Sequence, residues 1–161
     1  MKLSPKLYGA LRWAAVLAAV VFLVLSFGMD PVSNADPAAV ESAVVAKLDV
    51  SNMKQGANQM VRRLYGLDPA QYEYCSLYYP ATNMDAEELL IIKLKDTAQQ
   101  EPVRQAVEKR IETQKTTFDG YGIEQYDMLS NNSVVEIRGN YVLFVVSGTS
   151  ADARQAFLDA L

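Results

Sequence analysis

The sequence predicts an α+β protein: an antiparallel four-stranded sheet with helices packed on it, preceded by one N-terminal transmembrane helix. Three observations carry this. Trp13 to Met29 is a run of 17 residues without a charge. Two pairs of later segments favour strands, by alternation or by an unbroken apolar run. Around and between them, apolar residues recur at steps of three and four, the period of a helix.

A helix rises about 1.5 Å per residue and the hydrocarbon core is roughly 30 Å thick, so a span takes about 20 apolar residues. Extending the uncharged run back to Leu7 gives a span over residues 7–29, interrupted only by Arg12. Arg12 sits near one end, where a long side chain reaches the headgroups, and Tyr8 and Trp13 suit the same interface. Lys2, Lys6 and Arg12 precede the run, while Asp30, Asp36 and Glu41 follow it. The positive-inside rule then makes residues 1–6 a cytoplasmic stub and places the rest outside the cell membrane. The lipid bilayer is thus the first expected partner. Cleavage as a signal peptide is the competing reading, because Ser33-Asn34-Ala35 offers small residues to a signal peptidase. The apolar run exceeds the roughly 7–15 residues of a signal core, which favours a retained anchor.

Residues 30–37 read as a polar linker, and 38–161 as one domain. Asp36-Pro37 starts a helix over Ala38 to Leu48, with Val40, Val44, Val45 and Leu48 on one face. Ser51 or Asn52 caps a second helix carrying Met53, Met60, Val61 and Leu64, closed by Gly66. From Tyr72 to Tyr79 the period drops to two. Tyr72, Tyr74, Ser76 and Tyr78 share one face; Glu73, Cys75, Leu77 and Tyr79 share the other. Glu88 to Lys95 forms a strand apolar on both faces, which suits the middle of a covered sheet. Gln100 to Phe118 is the clearest helix, through Val103, Val107, Ile111, Gln114 and Phe118. A helical turn follows over Ile123 to Leu129. Val134 to Arg138 and Tyr141 to Val146 make a hairpin around Gly139-Asn140, and Ala151 to Leu161 closes the chain as a helix.

Composition narrows the function. The chain has no histidine, which removes the commonest general base and the usual triads and zinc ligand sets. Its single cysteine, Cys75, cannot form an intrachain disulfide. Past Arg12 there are 12 basic against 19 acidic groups, a net of −7. Such a domain is a poor partner for nucleic acid or anionic lipid. Nothing in the residues implies a cofactor or a metal.

Several residues taken in order form a pattern: Arg63-Leu64-Tyr65-Gly66-Leu67, Met84-Asp85-Ala86-Glu87-Glu88-Leu89, Lys93-Leu94-Lys95-Asp96, Arg110 with Gln114, Phe118, Gly120 and Tyr121, and Gly139-Asn140-Tyr141. This pattern resembles the bacterial domain of unknown function 4358 family over roughly Met60 to Leu158. The resemblance implies an exported lipoprotein or a single-pass membrane protein, and carries no catalytic residues across. The chain lacks the cysteine that a lipoprotein needs just after its apolar core.

Two groups of residues are candidates for a site. Tyr72, Tyr74 and Tyr78 should project together, and rigid aromatic faces can grip a partner or stack on sugars. More commonly such tyrosines fill half-buried strand positions. Asp85, Glu87 and Glu88 are the densest acidic cluster; converging carboxylates can hydrolyse glycosides or hold a hard cation. A solvated strand entry is the commoner outcome. Cys75, with no base beside it, reads as a buried small apolar residue. Lys93 and Lys95 read as solubilising charges near a strand end, and Arg62-Arg63 as a solvated helix edge. The sequence therefore points to a non-enzymatic interaction or binding module of the cell envelope, with a protein or cell-wall partner. A carboxylate-dependent envelope hydrolase, a secreted domain cut at Ala35, and a subunit completed in an oligomer are the alternatives.

Overall fold

The computed structural model describes residues 12–20 and 31–161. Two units result, divided between Asp30 and Pro31. In the first, residues 12–20 are helical (α1), and Trp13, Val16, Leu17 and Val20 expose much of their apolar surface. The expected span over residues 7–29 lies mostly outside the described residues. Among the described residues no helix is long and apolar enough to cross a membrane.

The second unit is a sheet between two helical layers. Its strands are β1 (Met53–Gln55), β2 (Tyr74–Pro80), β3 (Glu88–Lys93), β4 (Ser133–Arg138) and β5 (Tyr141–Val146). They lie in the order β1-β2-β3-β5-β4, every neighbouring pair antiparallel. Around them are α2 (Pro37–Val45), α3 (Asn58–Tyr65), α4 (Gln100–Phe118), α5 (Ile123–Asn131) and α6 (Ser150–Asp159). The centre of the sheet follows from composition. Glu88-Leu-Leu-Ile-Ile-Lys93 and Tyr141-Val-Leu-Phe-Val-Val146 are buried at every position, so β3 and β5 pair with each other and need cover on both faces.

One face carries Leu77, Leu90, Ile92, Val142, Phe144 and Val146 against α3, α4 and α5. The other carries Leu89, Ile91, Tyr141, Leu143 and Val145 against Val40 and Val44 of α2 and Ala153 and Phe157 of α6. The strand expected to be apolar on both faces, β3, thus feeds both cores. The helix expected over Gln100 to Phe118 forms with those bounds, and the Gly139 turn joins β4 to β5.

Two expectations fail. The sheet has five strands, because Met53–Gln55 pairs with Tyr78–Pro80 instead of opening a helix. Helix α3 starts only at Asn58, after Gly56. Gly56 lies so close to Leu77 that a Cβ would stand 2.8 Å from its Cδ2, so the missing side chain lets the strand edge settle on β2. Gly66 does end α3 in the left-handed region, at φ 69°.

The second concerns Lys93, beside the segment expected as a linker. Pro31 to Asp36 is docked on the domain as a strap. Ser33 N–H donates to Asn140 Oδ1 (2.8 Å) and Ser33 Oγ to the Leu161 carbonyl (2.9 Å). The Ala35 carbonyl accepts from Tyr141 Oη (2.7 Å) and Lys93 Nζ (3.3 Å). At Gly139, φ is +53° and a Cβ would collide with the Pro31 carbonyl, so glycine is needed twice over. Lys93 is correspondingly not a solubilising charge. It is 7% exposed, paired with Glu73 Oε1 at 2.8 Å and set 5.6 Å from the Tyr141 ring centroid.

Replacing Asn140 by Ala leaves the Ser33 N–H without its acceptor and should cost about 1–2 kcal/mol. Urea unfolding should show this as a lower midpoint at unchanged slope.

Candidate binding groove

A buried polar network underlies the groove between α3 and α4. Glu88, the first residue of β3, is 1% exposed. Arg110, midway along α4, donates to it through Nη2 (2.8 Å to Oε2) and Nε (3.1 Å to Oε2, 3.2 Å to Oε1). Tyr65, the last residue of α3, donates its hydroxyl to Oε1 at 2.5 Å. Three elements are thereby joined by one carboxylate. A buried charge is tolerable only when paired and hydrogen-bonded, and here it is both. Burial raises the Tyr65 pKa well above its ordinary value and the Glu88 charge raises it further, so the phenol stays a donor. Its ring meets Phe144 edge-on, with centroids 6.4 Å apart.

Above this network α3 and α4 leave two hollows that share Leu64 and Arg110 in their walls. One, of about 330 Å³, is lined by Arg62, Arg63, Tyr65, Lys109 and Thr113 among others. The other, of about 280 Å³, is bounded by Tyr79, Thr82, Asn83, Asp85, Gln114 and Thr117. Arg62 is held by Asp68 at 2.7 Å in an exposed pair. Arg63 and Lys109 are exposed and make no ion pair among the described residues.

The predicted site residues are distributed differently. Tyr74 and Tyr78 do share a face, and both hydroxyls donate to the Glu41 carboxylate of α2, Tyr78 at 2.8 Å. Their expected partner surface is thus occupied by the chain's own helix. Tyr72 lies before β2 starts and packs into the opposite core, the one that holds Leu77. Asp85, Glu87 and Glu88 diverge. Asp85 accepts from Thr82 Oγ1 at 2.7 Å, Glu87 stands 3.5 Å from Ser147 Oγ, and Glu88 is not solvated at all. Among the described residues no three of His, Cys, Asp and Glu are grouped to hold a metal ion. Burial pushes the Cys75 thiol up to about 12, which suits an inert core residue.

The Tyr65–Glu88–Arg110 network escaped sequence reasoning, although all three residues belong to the pattern behind the family resemblance. One local signal was present. An acid leading directly into Leu-Leu-Ile-Ile enters a covered strand and needs a buried partner.

Arg110→Ala should destabilise the domain by about 3–5 kcal/mol, because it strands a buried carboxylate. The paired replacement Glu88→Leu with Arg110→Met should recover most of that loss in denaturant unfolding. The tyrosines predict an alkaline limit. Burial, then the Glu41 hydrogen bonds, raise Tyr74 and carry Tyr78 up to about 12. A tyrosine raised on folding contributes stability present below its unfolded pKa of about 10 and lost as pH climbs through the folded value. Stability should therefore fall from about pH 10 towards 12. Tyrosinate absorbance should rise at lower pH in Glu41→Gln.

The family model described as "Domain of unknown function (DUF4358)" matches residues 46–147. No curated protein and no solved structure matches the chain. The matched stretch contains all five strands and the whole groove, and leaves α2 and α6 outside it. With well over half of its residues matched, this chain belongs to the DUF4358 family.

Proposed function

We propose that this protein is a membrane-anchored binding module of the bacterial cell envelope, with its α+β domain on the extracytoplasmic side and its ligand site in the α3–α4 groove. One observation carries the binding reading: a two-lobed polar groove lies on a network whose charges are already satisfied. Glu88 is engaged by both Arg110 and Tyr65, so the three hold the shape of the groove floor. The hydrolase alternative needs two carboxylates facing one substrate, and Asp85, Glu87 and Glu88 each face a different partner.

The anchor rests on the uncharged run from Trp13 to Met29 and its charge asymmetry. The strap supports retention over release at Ala35. Cutting there removes the hydrogen bonds of Ser33 to Asn140 and Leu161 and breaks the amide after Ala35, whose carbonyl serves Tyr141 and Lys93. The exposed apolar side chains of α1 are in keeping with a lipid surround.

A photo-crosslinking residue at Thr113 or Thr117, both exposed on α4, tests the site in intact cells. Adducts should form at these positions and not at Ala151 on α6. Equal labelling at all three, or none, refutes the groove as the site. A reporter fused after Leu161 should be active only outside the cytoplasm; activity inside refutes the topology.

A further inference from the structure

We propose that the larger hollow of the groove recognises an anionic group, a phosphate or a carboxylate, through Arg63 and Lys109. This deepens the binding reading above and rests on it. The charge pattern is the reason. Beyond Arg12 the chain carries a net of −7, yet the wall of this hollow contains Arg62, Arg63, Lys109 and Arg110 and no carboxylate. Two of those cations are spoken for. Arg62 pairs with Asp68, and Arg110 with Glu88 through Nε and Nη2. Among the described residues the Arg110 Nη1 makes no hydrogen bond. Arg63 and Lys109 come from different helices, are exposed, and have no ion-pair partner among the described residues.

Two cations without an ion pair among the described residues line one hollow of about 330 Å³, and an anion held by both would lower their mutual repulsion. The paired residues beneath set the geometry. Arg110 cannot swing away without stranding Glu88, so the floor of the hollow is rigid. Gly66, at the end of α3, adds no side chain to the rim, and a Cβ there would meet nothing within 4 Å. The size suits a single anionic group with its immediate substituents. Arginine offers a planar fork to such a group and lysine a point charge, which serves phosphate and carboxylate alike.

The test uses the full chain in a neutral detergent, titrated calorimetrically with pyrophosphate and, separately, with citrate. Saturable binding of at least one is expected, weakening as salt is added. The double reversal Arg63→Glu with Lys109→Glu should weaken it by ~10-fold or more. Both residues are exposed, so circular dichroism and the unfolding midpoint should stay as in the parent. Lys47→Glu, outside the groove, should leave binding unchanged. The two arms tell a phosphate source from a carboxylate one. No saturable binding of either anion at low salt, or equal binding by the double reversal, overturns the inference. If that happens while Thr113 still crosslinks a partner, the groove stands as a binding site and only its anion preference falls.

Discussion

The pairing of β3 with β5 is the constraint from which the rest of the domain follows. Both strands are apolar on both faces, and every residue in them is buried. A sheet with such a centre needs two covers. On one side α3, α4 and α5 provide it; on the other, α2 and α6 do. The outer strands fit this logic. β4 carries Glu136 and Arg138 at half-buried positions, and β1 is only three residues long. Polar or short strands at the edges limit unwanted pairing with other chains.

The two covers are fastened by different chemistry. On the groove side a charged carboxylate, Glu88, reaches up from the first position of β3 and is gripped by Arg110 and Tyr65. On the other side the carboxylate belongs to the helix: Glu41 of α2 reaches down to Tyr74 and Tyr78 of β2. In each case an acid is held by groups from another layer, which orients the helix as well as attaching it. The strap then closes the second side by threading Ser33 and Ala35 between Asn140, Tyr141, Lys93 and Leu161. Residues 31–36, expected as part of a linker, are here part of the fold.

This arrangement bears on function because it leaves the two faces unequal. The tyrosine-bearing face is covered from within. The outer side of the α3–α4 layer is hollowed, and one hollow is basic on a molecule that is acidic overall. For the binding proposed above a rigid floor matters, since a preorganised site does not lose affinity to ordering its own side chains.

Periodicity in the sequence determined most of the elements: the step of two in β2, the unbroken apolar run of β3, and the three-four spacing of α4, because these patterns are local and repeat within one segment. Composition shows separately that the chain holds no histidine. Tertiary structure alone decided that Met53–Gln55 is a strand, that Lys93 is buried, that Tyr72 parts company with Tyr74, and that Glu88 meets Arg110. Each of those outcomes joins residues far apart in the chain, or rests on a backbone carbonyl that every residue carries. Neither kind of contact leaves a periodic trace, so only the folded chain reveals it.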